Sequence, residues 1–166
     1  IEIARLLEPL EISVLGLNQF PDVPEIVESG ITFAENAAIK AGQTASIIGE
    51  WTIADDSGLI VDALDGEPGV YSARYAGDHA TDADNNAKLL DALRGIPPGR
   101  RTAKFVCHLA VADPTGAIVI SVEGACRGLI IEDDRGIQGF GYDPLFLVPE
   151  FHRTFGQLSL LVKSQI

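Results

Sequence analysis

AKFVCHLAVADPTGAIVISVE, residues 103–123, is the stretch whose reading decides the fold. Ala103, Phe105, Cys107, Leu109 and Val111 alternate with Lys104, Val106, His108 and Ala110. That period of two suits a strand and not a helix. Asp113-Pro114-Thr115-Gly116 then places proline at the second position of a turn, where its locked φ is already right. Residues 117–123 run back, so the whole segment reads as a long antiparallel hairpin. Residues 126–131 can extend the sheet before the polar turn EDDRG.

Upstream the period changes. Thr32-Phe-Ala-Glu35 is a capping-box pattern opening a helix to about Ile48, stopped by Gly49. Thr81-Asp-Ala-Asp84 is a second one, opening NNAKLLDALRG, which Gly95 closes. Residues 1–7 look like the tail of a helix stopped near Pro9, 11–17 (EISVLGL) like a strand, and 18–30 like an acidic, Pro-rich loop. Residues 52–55 and 59–64 are expected as short strands around a DDSG corner, and 66–77 (GEPGVYSARYAG) as a loop. Helices mixed with hairpins predict an α/β protein with a mixed sheet.

The chain has 166 residues, 46% hydrophobic and 22% charged, enough for one domain with a real core. No apolar run approaches a membrane span, and no signal-peptide pattern opens the sequence. There is no methionine, so the chain is expected to start downstream of its natural beginning. A net charge of −12 would repel a polyphosphate backbone, which argues against DNA or RNA partners. Small phosphate ligands stay possible, because a divalent cation bridges them to carboxylates. Cys107 and Cys126 form no CxxC, and His79, His108 and His152 show no zinc spacing. Reduced thiols in a cytoplasmic protein are the expectation.

Four clusters can carry chemistry: Glu28 in VESG, Lys40 one helical turn after Asn36, Asp55-Asp56-Ser57-Gly58, and GFGYDPLF at residues 139–146. Each has a plain structural reading. Glu28 and Lys40 fit a solvated surface, the aspartate pair fits a turn, and GFGYDP fits a tight turn with core aromatics. Arg74 is equally ambiguous. Two adjacent carboxylates repel unless something positive sits beside them. Together, Glu28 and the aspartates supply hard oxygen ligands suited to Mg²⁺ or Mn²⁺, the expected companions of a phosphate. Lys40 can meet that phosphate as a point charge. Phe140 and Tyr142 beside Asp143 can stack on a base and accept hydrogen bonds from its edge. Spacing alone leads to a nucleotide phosphohydrolase and nothing sharper.

ESGITFAENAAIKA, ADDSGLIVDALDGEPGVYSARYAG, NNAKLL and GFGYDPLF, in this order, resemble the RdgB-like, inosine triphosphate pyrophosphatase family. The resemblance implies an elongated, two-lobed α/β fold with a long twisted mixed sheet, flanking helices and an active-site cleft between the lobes. It implies a homodimer and Mg²⁺-dependent hydrolysis between the α- and β-phosphates of ITP, dITP and XTP. It implies Asp56 as general base and metal ligand, Glu28 as metal ligand, and Asp55 and Lys40 as supports of the catalytic centre. Ser57, Phe140, Gly141, Tyr142, Asp143 and Lys163 match substrate contacts. The family's opening TGNxxK-type loop and its closing Ser-His-Arg segment have no counterpart here. Residues 1–166 are therefore expected to be a single nucleotide-pyrophosphatase domain lacking both pieces. Leu160-Leu161-Val162 stand before Lys163 where acidic residues are usual, Ser29 replaces a common threonine, and Gln138 a common glycine. The alternatives are a Maf-like pyrophosphatase with another base preference, and an inactive metal-binding relative.

Overall fold

The computed structural model describes residues 7–163 and 165. Its strands are β1 (Thr52–Val61), β2 (Thr102–Ala112), β3 (Ile118–Ile130), β4 (Phe146–Val148) and β5 (Arg153–Thr154). They form one sheet in chain order. Its helices are α1 (Phe33–Ile48), α2 (Asp82–Ala92) and the short α3 (Leu160–Lys163). The protein is a mixture of helices and sheet, as expected. Every strand pair among the described residues is antiparallel, however, so the sheet there is not a mixed one. Each neighbour is reached by a reversal of the chain, and no helix crosses back between parallel strands.

The hairpin forms as its alternation requires. Asp113 Oδ1 accepts from the Thr115 backbone N–H (2.8 Å), the Thr115 hydroxyl (2.6 Å) and the Ala117 N–H (3.2 Å), which ties the turn. Those bonds, the Thr115 hydroxyl's first, hold its carboxyl below the usual range. Ser46 on α1 donates to the Thr115 carbonyl at 3.2 Å, pinning the helix to the hairpin tip.

Buried residues fall into two clusters on opposite faces of the sheet. Ala37, Ala41 and Ala45 of α1 pack on Ala110 and Ala112 of β2, and small side chains let the helix lie close. Leu59, Val61 and Ala103 point the other way, into a larger cluster with Leu89, Leu93, Ile130 and Phe146. Phe105, Phe146 and Phe155 meet there, with ring centroids 4.7 to 5.4 Å apart.

Two expectations need correction. Residues 11–17 form no strand, and Ile12, Val14, Leu15 and Leu17 are exposed. Alternation supplies two faces but not a neighbour, and among the described residues nothing pairs with this segment. DDSG is not a corner either, because β1 runs through it unbroken, with Asp55 opposite Leu109 and Asp56 opposite His108. The expected continuation to residue 64 ends at Val61, where Asp62–Leu64 turns as a 3-10 helix. The helix tail expected over residues 1–7 lies outside the described residues except for Leu7. Among the described residues, no helix is long and apolar enough to cross a membrane.

Candidate active site

Because β1 is a continuous strand, neighbouring side chains leave it on opposite faces. Asp55 and Asp56 therefore do not confront each other. Asp56 faces α1, where Lys40 Nζ donates to its Oδ1 at 2.9 Å and Asn36 Nδ2 donates to its Oδ2 at 3.2 Å. The Lys40 ammonium also lies 3.3 Å from Glu28 Oε1, so one cation joins two carboxylates from separate segments.

Local structure explains why they meet. Thr32 caps α1 by accepting from the Glu35 N–H. Glu35 in turn accepts from the Ile31 N–H at 2.7 Å, one residue ahead of the reciprocal bond a full capping box would make. Asn36, 1% exposed, accepts from the Gly30 N–H at 2.8 Å, which anchors the loop carrying Glu28. Burial alone would lower the Lys40 pKa, but the hydrogen bonds and charges of Asp56 and Glu28 outweigh it and raise it.

Asp55 and Ser57 share the opposite face, where the Ser57 hydroxyl donates to Asp55 Oδ2 at 3.1 Å. Their side chains are not brought to the Lys40 group. Their backbones are better placed. Leu59 N–H donates outward to Ser72 Oγ and Val61 N–H to the Glu67 carbonyl, both away from β2. In an antiparallel ladder alternate residues share one direction, so the amides of Asp55 and Ser57 also point to the outer edge of β1.

The second group is the loop at residues 139–143. Phe140 is 82% exposed, while Tyr142 is buried and its hydroxyl donates to the Ser72 carbonyl at 2.8 Å. Ser72 thus ties this loop to β1 just beyond Asp56. Burial, then the charges of Tyr75 and Asp82, raises the Tyr142 pKa. Asp143 Oδ2 accepts from Lys163 Nζ at 2.7 Å and from the Phe140 N–H at 3.2 Å. This ion pair closes over Gly139, where a Cβ would stand 1.8 Å from Asp143 Oδ2, and whose φ of 85° is left-handed. The expected substrate residues Phe140 to Asp143 and Lys163 are therefore together. Arg74 packs over the Tyr71 ring, 5.3 Å from its centroid.

Sequence reasoning missed the residues that hold the loops. Asn36 was only a spacing mark for Lys40. Asn85 accepts from Ala76 N–H (2.7 Å) and donates to the Ala73 carbonyl (3.1 Å), fixing SARYAG. Lys88 donates to the Tyr75 carbonyl and lies 4.2 Å over its ring. Burial, then Glu67, pushes the Tyr75 phenol up to about 12. Two adjacent asparagines inside a helix were the available signal, since asparagine favours caps and turns over helix interiors.

The donor set fits a hard divalent cation. Glu28 and Asp56 direct carboxylate oxygens at one positive centre, the place Lys40 now holds. Mg²⁺ characteristically takes one or two protein carboxylates and completes its shell with phosphate and water. Among the described residues, no three His, Cys, Asp or Glu gather into an all-protein cage.

Comparison with known proteins agrees with this arrangement. The family model described as Ham1 family matches residues 1–166. A dITP/XTP pyrophosphatase of Desulforamulus reducens is 50% identical over 165 residues, 99% of this chain and 82% of that protein. One from Rhodopirellula baltica is 48% identical over 166 residues, 100% of this chain and 80% of that protein. The structure of a HAM1 protein from Coxiella burnetii superposes with a TM-score of 0.93 at 42% identity, covering 99% of this chain and 84% of that one. With a match along its whole length and half its residues shared with such relatives, the chain belongs to the Ham1 family.

Proposed function

We propose that this protein hydrolyses non-standard purine nucleoside triphosphates, dITP, ITP and XTP, to the monophosphate and pyrophosphate, removing them before they enter DNA or RNA. The single observation that carries the proposal is the Glu28–Lys40–Asp56 cluster on a strand whose next residues tether an exposed phenylalanine beside an acidic acceptor. The names of the relatives agree with it.

Glu28 and Asp56 would hold Mg²⁺, for which Mn²⁺ can substitute. When bound, the metal neutralises phosphate charge and makes water a better nucleophile. Asp56 is the general base. Lys40 and Asn36 each engage one of its oxygens, which fixes the carboxylate plane. Lys40, its pKa raised, stays charged at neutral pH and can turn from Asp56 towards a phosphate oxygen. Ser57 contributes its edge-facing amide to the phosphates, and Asp55 steadies Ser57 through the hydroxyl bond. Phe140 stacks on the purine, Gly141 and Tyr142 shape the loop, and Asp143 accepts from the ring edge. Lys163 holds Asp143 ready.

We propose a cytoplasmic location and a single nucleotide-pyrophosphatase domain. We propose a homodimer, supported by Ile53, Ile120 and Val122, which are 37–53% exposed on one face of the sheet.

The test is a product assay on the native full-length protein with ITP, XTP, GTP and ATP and Mg²⁺. Pyrophosphate released mainly from the first two is expected. Orthophosphate as product would sink the chemistry, and equal use of ATP would sink the base preference.

A further inference from the structure

The loop at residues 139–143 is not held by its own turn alone. The Gly141 N–H donates to Asp82 Oδ2 at 2.7 Å, and the Gly141 carbonyl accepts from Asn86 Nδ2 at 3.1 Å. Asp82 and Asn86 stand one turn apart on α2, so they share one helix face. A single rigid element thus grips both polar groups of one glycine, across 59 and 55 residues of sequence.

That helix is well anchored. Its capping box is complete, Leu89 is fully buried, and Asn85 and Lys88 bind the SARYAG loop. Gly141 has no such packing, since a Cβ built there would meet nothing within 4 Å. Buried Tyr142 anchors the next residue, and at Gly141 itself the two polar bonds are what orient the peptide. The residues beside it, Phe140 and Asp143, carry the recognition groups. Asn86 also has a cost attached, because its Oδ1 is buried without a partner among the described residues. A buried orphan acceptor destabilises a fold, so packing of α2 does not explain the amide.

We propose that Asp82 and Asn86 are positioning residues that set the base-binding loop before the nucleotide arrives, and with it the discrimination between oxo-purines and adenine. The inference rests on the proposed function. A loop already in its bound shape pays no ordering penalty when the base stacks, and a fixed acceptor penalises a ring edge that offers the wrong group. A loop free of α2 would still stack on any purine, but would read its edge poorly.

The test uses the native full-length protein, with Asn86→Leu, Asp82→Ala and Asp82→Asn, the last keeping an acceptor oxygen. Asn86→Leu and Asp82→Ala are expected to raise KM for dITP by about tenfold while kcat changes less than about twofold, the pattern of lost ground-state binding. The ratio of kcat/KM for dITP over dATP falls in both, and Asp82→Asn restores most of it. Amide exchange at residues 139–143 accelerates, while the Tm of Asn86→Leu does not fall. Unchanged KM, unchanged discrimination, or a loss confined to kcat would each overturn the inference. Failure of the wild-type protein to release pyrophosphate from dITP would instead overturn the functional reading beneath it.

Discussion

Asp56 carries two donors on its two oxygens, an ammonium and a carboxamide, and neither comes from its own strand. A carboxylate held that way stays aimed, a requirement for a base that takes a proton from water. Asp56→Asn keeps the shape and removes the charge, and turnover is expected to fall by about two to four orders of magnitude. Steady-state rates with dITP measure this, and near-normal turnover would mean that the base lies elsewhere. The identity of this residue was legible in the sequence only through the family resemblance. Local reasoning supplied a hard cation for the aspartate pair and Lys40 for a phosphate, and the structure places Lys40 on Asp56 itself. It could not see that the paired aspartates point in opposite directions, because the DDSG motif read as a corner. The partners of Asn36 and Asn86 could not be read for a related reason: they lie 20 and 55 residues away, beyond any helical or strand period.

At the scale of elements, local chemistry decided what could be read. The hairpin, the two capped helices and the stop at Gly49 depend on residues within a few positions of each other, and all of them form. Residues 11–17 and the short strand β4 depend on neighbours farther along the chain, and two-residue β5 pairs only with β4. The first pattern therefore promised a strand that has no partner among the described residues, and the last two were not foreseen. β1 shows how close such long-range packing runs. A Cβ on Gly58 would stand 2.5 Å from Ser72 Oγ and 2.8 Å from both the Gly69 carbonyl and a Phe33 ring carbon. Gly58→Ala is expected to lose about 1–3 kcal/mol through overpacking. Gly124→Ala on β3, where nothing lies within 4 Å, serves as the control and should stay near wild type. Urea midpoints compare the two, and equal midpoints would show that β1 yields freely at Gly58.

For the molecule as a whole, buried phenols tie stability to pH. Tyr75 and Tyr142 both hold their protons more tightly when folded, Tyr75 up to about 12. Their contribution is complete below the ordinary tyrosine range near pH 10 and is lost as pH rises from there towards 12. Denaturation midpoints at about pH 9 and 11, read beside phenolate absorbance, should show the drop. A flat profile would contradict the burial. The exposed sheet face gives a second expectation: Val122→Glu should convert a dimer to a monomer in sedimentation without loss of the fold, and an unchanged dimer would place the interface elsewhere. The cluster of two carboxylates around one ammonium has a kinetic consequence as well. The cluster itself carries one negative charge in excess, in a chain whose formal net charge, these groups included, is −12. A bare triphosphate is pushed away over roughly a Debye length, about 8 Å at physiological ionic strength, while one already carrying its cation approaches with less resistance. Free nucleotide is therefore expected to be captured more slowly than its cation complex, a difference that added salt narrows.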